Sequence, residues 1–102
     1  MNEQKLKGLI GLALRARQAA AGMDAGRMMI RSGKCGVLLL DGETGPNTRK
    51  KAEALCAQYR TPMRILPKGM IGSASGRDNM VLALKYGSFA EQILAETDYI
   101  QN

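Results

Sequence analysis

Apolar side chains follow two patterns, a helical spacing near the start of the chain and short uninterrupted runs further on. Between residues 6 and 14 they recur every three or four positions, which predicts a one-faced helix with Asn2 as its N-cap. Residues 37–40 and 80–84 are apolar without polar alternation, so we expect strands that are covered on both faces. Weaker strand signals are the alanine run 19–21 and residues 63–66, which lie between two prolines.

Further helix signals alternate with these strands. Asp24 is placed to cap a second helix, which Gly33 would end. Pro46 suits the first turn of a third helix, and residues 71–74 predict a brief fourth. Ser88 and Glu91 form a capping box before a fifth helix. The apolar positions expected on the buried face of the second helix are Ala25, Met28, Met29 and Ser32.

This alternation predicts an α/β fold in which a small four-stranded, mostly parallel or mixed sheet lies between helix layers. A length of 102 residues suits one domain, covering residues 1–102. Gly8 and Gly11 lie inside the first helix, where we expect a neighbouring backbone to pack closely. Most of the methionines are expected in the core as adaptable filler.

The charge balance indicates a polyanionic partner. Lys and Arg number 15 against 9 Asp and Glu, which gives a net charge of +6. Residues 5–34 carry seven cations, whereas the final helix is acidic. An ordinary solvated helix face is the alternative explanation. We see no apolar segment long enough for a membrane span and no signal-peptide pattern, so a cytoplasmic location and no membrane partner are expected.

The residues offer little for catalysis or metal binding. The chain has no histidine, and Cys35 and Cys56 do not form a CxxC pair, so the usual zinc sites are excluded. We expect Cys56 on the buried face of the third helix. The loop before that helix has Asn47, Thr48 and Arg49 where a nucleotide-binding phosphate loop needs Gly-Lys-Ser/Thr. No catalytic residue, metal or cofactor is therefore predicted.

Only four aromatic residues are present, and no predicted strand carries an aromatic pair on which bases could stack. This argues against a sheet platform for single-stranded RNA. A helix-turn-helix would leave the apolar strands without a role. A folded RNA, held by cations, helix N-termini and a few base-edge contacts, is the nucleic acid that fits best.

Several blocks of the sequence resemble the kink-turn-binding family of ribosomal and ribonucleoprotein proteins, specifically its small bacterial YlxQ-like branch. The resemblance covers about residues 5–95 and rests on the blocks 9–13 with Arg15, 30–34, 37–40, 46–51 and 71–76. It implies a three-layer α/β/α sandwich, RNA binding and no catalytic activity. It also implies RNA contacts at the start of the second helix, at the start of the third helix, before the fourth helix and in the loop that follows it.

Carried onto this chain, these contacts give a set of expected RNA-binding residues. At the start of the second helix, Asp24 stands where the family has Asn, Ala25 where it has Glu, and Met28 where it has Lys. In the loop after Gly76, residues 77–79 are polar where the family often has small apolar residues. Arg27 and Arg31 offer replacement charge from neighbouring positions. The full expected set is Gly22, Met23, Asp24, Ala25, Arg27, Met28, Arg31, Lys34, Gly45, Pro46, Arg49, Lys68, Arg77, Asp78 and Asn79.

The sequence thus predicts a non-enzymatic, monomeric RNA-binding protein with structured, ribosomal RNA as its partner and a kink-turn as the narrower hypothesis. The prediction requires cations that are far apart in the chain to converge on one rim beside free backbone donors. Two alternatives stay open. One is a protein-binding module that meets ribosomal or other translation or transcription proteins, and the other is a small enzyme acting on a phosphorylated ligand.

Overall fold

A computed structural model describes residues 2–98 of the chain. Within this part, five helices alternate with four strands along the chain. The helices are Glu3–Arg15 (α1), Met23–Arg31 (α2), Pro46–Tyr59 (α3), Met70–Ser75 (α4) and Ser88–Thr97 (α5). The strands are Ala19–Ala21 (β1), Cys35–Asp41 (β2), Met63–Leu66 (β3) and Val81–Lys85 (β4).

The strands form one mixed sheet in the order β1-β4-β2-β3. β4 pairs antiparallel with both of its neighbours, while β2 and β3 are parallel, with Leu40 opposite Ile65. A register shift separates Cys35 from Val37 in the β2·β4 ladder, which places Gly36 at an irregularity. The predicted mixed, four-stranded sheet is confirmed.

Helices cover both faces of this sheet. Every residue of β2 is buried, as an apolar strand between two helix layers requires. Leu39 and Leu84 pack with α1, α4 and α5 on one face, whereas Leu38 and Leu40 pack with α2 and α3 on the other. The fold is therefore the predicted three-layer α/β/α sandwich.

Helix α1 follows its sequence signals. The Oδ1 atom of Asn2 accepts a hydrogen bond from the Lys5 backbone N–H at 3.0 Å, so the predicted cap is confirmed. A Cβ at Gly11 would lie 3.6 Å from the carbonyl oxygen of Ala74, which puts α4 against this point of α1. The expected close backbone is absent at Gly8, where a Cβ would meet nothing within 4 Å.

Helix α2 differs from its prediction in both cap and face. Its N-cap is Gly22, with a φ of +99° that L side chains rarely adopt, and Asp24 instead lies in the first turn. The buried positions are Gly26 and Ile30, while Met28 is 74% exposed. Gly26 is on the inner face because a Cβ there would lie 3.1 Å from Leu38 Cδ1. The predicted apolar face was therefore wrong by about a third of a turn.

The start of α5 also corrects a prediction. Gly87, at a φ of +144°, is the N-cap, and Ser88 is the first helical residue. The Ser88 hydroxyl accepts from the side chain of Gln92 at 2.9 Å rather than from the Glu91 backbone, so there is no capping box. Among the methionines, Met70 is buried and Met23, Met29 and Met63 pack partly buried against the core, as expected for most of them, whereas Met28 and Met80 are exposed.

Candidate nucleic-acid interface

Four loops meet at one edge of the sheet, where β1, β2 and β3 end and β4 begins. We call this edge the carboxyl rim and define it as residues 22–24, 41–46, 67–69 and 77–80. Its backbone is tied across the strands, since Gly22 N–H donates to Val81 O at 2.9 Å and Asp41 N–H donates to Met80 O at 2.8 Å. Ligands commonly bind at such edges of α/β sheets.

Helices α2 and α3 begin at this rim. Their first intrahelical hydrogen bonds run from Gly26 N to Gly22 O and from Arg49 N to Gly45 O. The backbone N–H groups of residues 23–25 and 47–48 therefore have no intrahelical acceptor and lie in the rim or directly beside it. Pro46 takes the first position of α3, as predicted, where its missing N–H costs nothing.

Asp41 organises the rim. Only 4% of it is exposed, and its two carboxylate oxygens accept hydrogen bonds from Glu43 N at 2.8 Å and Gly69 N at 2.7 Å. The Thr44 hydroxyl donates to the Asp41 carbonyl at 2.7 Å. One side chain thus fixes the loop before α3 against the turn before α4. The expected RNA-binding residues do not include Asp41, although a carboxylate directly after a buried apolar strand is a usable sequence signal.

A polar cleft of about 160 Å³ lies in the rim beside Asp41. Lys68 and Glu43 face each other across it, with Nζ and Oε1 3.3 Å apart. The cleft offers carboxylate and amide oxygens together with amide and ammonium donors. Its lining residues are Asp41, Glu43, Lys68, Gly69, Gly72, Asp78, Asn79 and Met80.

The structure brings most of the expected RNA-binding residues to this rim. Lys68, Asp78 and Asn79 line the cleft, and Ala25 and Arg49 lie in the first turns of α2 and α3. The expected residues within the rim itself are Gly22, Met23, Asp24, Gly45, Pro46, Lys68, Arg77, Asp78 and Asn79.

The remaining cations do not converge there, which corrects the expected geometry. The rim holds four carboxylates, Asp24, Asp41, Glu43 and Asp78, but only two cations, Lys68 and Arg77. The rim is therefore net acidic in a basic protein. Which charged residues share the rim depends on how the fold brings distant loops together, and sequence spacing does not reveal this.

Arg27 and Arg31 lie instead in a groove between α2 and α3. This α2/α3 groove has a volume of about 250 Å³ and is lined by Met23, Arg27, Arg31, Lys51, Ala54, Leu55 and Gln58. Arg27 Nη1 is 3.0 Å from Asp24 Oδ1 at the rim end of the groove. Lys51 and Gln58 are not among the expected RNA-binding residues, although their spacing of seven places them on one helix face.

Lys34 does not lie at the rim. It immediately precedes β2 at the opposite edge of the sheet, and its carbonyl accepts from Tyr86 N at 3.0 Å, just after β4 ends. Lys34 and Lys85 line a further cleft with Ala25, Met28 and Met29. Met28 and Lys34 thus share a surface that leads away from the rim, so the expectation that Lys34 joins the rim was wrong.

The two thiols belong to the core. Cys35 and Cys56 are both buried, as expected for Cys56, and burial raises the pKa of each thiol. The pKa of Cys56 rises to about 11, through burial and then through the neighbouring Cys35. A raised pKa disfavours the thiolate, so both behave as small apolar side chains.

No group of three or more His, Cys, Asp or Glu side chains in residues 2–98 is arranged to hold a metal ion. Over the same residues, each helix is too short or too polar to cross a membrane.

Comparisons with known proteins give a consistent result. No family model matches the chain. The RNA-binding protein YlxQ of Bacillus subtilis (strain 168) is 29% identical over 92 residues, which cover 88% of this chain and 92% of that protein. The protein of the same name from Enterococcus faecium is 27% identical over 92 residues, which cover 89% of each chain. The resemblance to the YlxQ-like proteins is confirmed.

Solved structures agree with this resemblance. A protein of unknown function from Bacillus halodurans C matches with a TM-score of 0.87 and 29% identity, over 92% of this chain and 97% of that chain. The Giardia lamblia 15.5kD RNA binding protein matches with a TM-score of 0.77 over 95% of this chain and 88% of its own. Its identity of 11% makes this a likeness of fold.

Proposed function

We propose that this protein is a monomeric, non-enzymatic RNA-binding protein that holds a structured RNA at the carboxyl rim. The observation that carries the proposal is the similarity, along nearly the whole of both chains, to two proteins named RNA-binding protein YlxQ. The geometry of the rim supports it, because two helix N-termini and a polar cleft lie side by side there.

The chemistry of the cleft favours contacts to bases over contacts to phosphates. Ionised Asp78 only accepts hydrogen bonds, which matches the N–H groups on base edges, whereas Asn79 both donates and accepts. Carboxylates repel phosphate oxygens, and three of those in the rim, Asp24, Glu43 and Asp78, are exposed, so this surface favours contacts to bases and sugars. Asp24, in the first turn of α2, belongs to the same acceptor set.

Ribosomal RNA and a kink-turn are the narrower part of the proposal, since both come from the family resemblance. The test compares a labelled kink-turn hairpin with the same hairpin in which Watson–Crick pairs replace the sheared G·A pairs. We expect measurable binding of the kink-turn by fluorescence anisotropy and clearly weaker binding of the control. Equal affinities would remove the kink-turn hypothesis, and failure to bind either RNA at low salt would remove the proposed function.

A protein-binding role is the competing function. The exposed side chains of Met28 and Tyr86, 74% and 66% accessible, favour it because large exposed apolar groups are typical of docking surfaces. Purification of the tagged protein from cells with and without ribonuclease separates the two functions. Partners that are lost after digestion support RNA binding, and partners that persist support the alternative.

A further inference from the structure

The net positive charge of the protein lies away from the rim. The rim carries more carboxylates than cations, although the chain as a whole has a net charge of +6. Phosphate contacts supply most of the affinity of a nucleic-acid-binding protein, so an RNA at the rim needs cations nearby. The α2/α3 groove is the cationic surface that opens beside the rim, because Met23 belongs to both.

Two facing rows of side chains, one on α2 and one on α3, line this groove. On α2, Met23, Arg27 and Arg31 recur at intervals of four and lie on one face. On α3, Lys51 and Gln58 stand seven residues apart with Leu55 between them. The groove therefore has cations on both walls and no carboxylate among its lining residues. Its buried floor residue, Leu55, provides an apolar surface against which long basic side chains can rest.

The cations of the groove differ in their present partners. Arg27 is ion-paired to Asp24, whose side chain is fully exposed at the rim end. Among residues 2–98, Arg31 and Lys51 have no carboxylate within salt-bridge distance. Glu53, the nearest acidic residue of α3 in sequence, is paired with Arg49 at 3.7 Å and does not line the groove. Two cations thus remain available to an anionic ligand.

We infer that the α2/α3 groove is a second RNA site, which takes the phosphodiester backbone of the strand that leaves the carboxyl rim. This inference rests on the proposed function. Arginine presents a planar fork that fits phosphate oxygens, and lysine adds a point charge from the facing helix. Continuity with the rim selects RNA over an acidic peptide as the occupant, because one ligand can then cover both surfaces.

The inference also accounts for Met28. Met28 lies in a separate cleft with Ala25, Met29 and Lys34, on another face of α2. A cation at position 28 would therefore point to that face, whereas Arg27 and Arg31 point toward α3. The phosphate path in this protein is accordingly displaced around α2, toward α3.

The test measures how RNA affinity depends on salt in two charge-matched double variants. Arg31→Gln with Lys51→Gln alters the groove, and Arg15→Gln with Lys7→Gln removes the same charges from α1, in the helix layer on the opposite face of the sheet. The probe is the kink-turn hairpin, and thermal unfolding of each variant verifies that it is folded. All four side chains are at least partly exposed, so we expect folded proteins.

We expect the groove variant to bind RNA more weakly and to make the slope of log affinity against log salt less steep by roughly 1.5. This change corresponds to the loss of two phosphate contacts. The α1 variant should keep the wild-type slope. Equal effects of the two variants on RNA binding, or no effect of the groove variant on an RNA that the wild type binds, would overturn the inferred RNA site in the groove. Either result would leave the proposed function standing. Failure of the wild type to bind RNA would instead overturn both.

A positional readout separates RNA from a protein occupant. A photoreactive amino acid at Gln58, in the groove, should crosslink to the labelled hairpin, and the same amino acid at Gln18, near Lys34 and Lys85, should not. Crosslinking from both positions, or from Gln18 alone, would contradict the inferred path.

Discussion

The Asp41 carboxylate accepts a hydrogen bond from the Gly69 backbone N–H at 2.7 Å, across 28 residues of sequence. Its other oxygen accepts from Glu43 N at 2.8 Å, so one buried side chain joins the loops that open α3 and α4. This relationship makes the rim a fixed surface, because an RNA that meets it does not have to order these loops first.

Asp41→Ala should destabilise the protein and weaken RNA binding. The change leaves two backbone N–H groups without their acceptor, at a cost of about 2–4 kcal/mol in the free energy of unfolding. Glu43→Gln is the matched control, because it removes only an exposed ion pair with Lys68 and should cost less than about 0.5 kcal/mol. Urea denaturation measures the free energy of unfolding of both variants. Equal stability of the two variants would show that Asp41 is not the organising residue.

Asp24→Asn should strengthen RNA binding several-fold. Asp24 does not cap α2 through its side chain but accepts from Arg27 at 3.0 Å, so the substitution removes a charge at the rim and frees an arginine of the groove. The amide can also donate to a base carbonyl, which the carboxylate cannot. Anisotropy titrations at one salt concentration measure the change. Unchanged binding would show that Asp24 does not contact the RNA, and weaker binding would show that its carboxylate is itself a required acceptor, contrary to this prediction.

The strands and layers were predictable because the sheet is buried on both faces. A strand such as β2 must then be apolar throughout, and an uninterrupted apolar run is easy to recognise. The predicted strand ends were less accurate than the strand positions. Strand β2 includes Cys35, Gly36 and Asp41 in addition to the predicted residues 37–40. Pairing with β3 and β4 rather than hydrophobicity sets those ends.

The faces and caps of the helices were harder to predict. Helix α2 has apolar residues at positions 23, 25, 28, 29 and 30, so its nine residues fit more than one helical face. Contact with Leu38 selects the face that contains Gly26, a residue with no side chain to signal burial. The true caps, Gly22 and Gly87, depend on positive φ angles in tight connections from strand to helix.

The segments that form the candidate site were predictable from the sequence, but the distribution of charged residues over it was not. The family resemblance places the helix starts and loops of the rim correctly as neighbours, because all follow from the order of strands in the fold. The cleft that each cation faces depends on which side of its helix the residue occupies. Arg27 and Met28 are adjacent in sequence and lie in different clefts, since consecutive helical residues are separated by about 100°.

Gly36→Ala should destabilise the fold, whereas Gly8→Ala should stabilise it. A Cβ at Gly36 would lie 2.8 Å from Ala90 Cβ and 3.1 Å from Tyr86 Cα, so α5 or the end of β4 must move, at a cost of about 1–3 kcal/mol. A Cβ at Gly8 meets nothing within 4 Å, and Ala in a helix is favoured over Gly by about 0.5–1 kcal/mol. Thermal unfolding of the two variants should shift in opposite directions. A shift of the same sign in both would contradict the packing described for Gly36.

The stability of the protein should fall as pH rises from about 9 to about 11, and Cys56 should account for part of the fall. The thiol has an ordinary pKa of 9.0, and burial raises the pKa in the folded protein to about 11. The unfolded chain therefore loses this proton first as pH rises, which favours unfolding by about 2 kcal/mol once pH 11 is reached. Well below pH 9 the thiol is protonated in both states and has no effect on the pH dependence.

Cys56→Ala provides the control for this prediction, because lysines and tyrosines also titrate in the same interval. Urea denaturation of the wild type and the variant at a series of pH values gives two curves, and their difference isolates the thiol. We expect the wild type to lose its advantage over the variant as pH approaches 11. Parallel curves would mean that the Cys56 thiol ionises equally easily in both states, and that the core formed by β2, α2 and α3 admits water at this position.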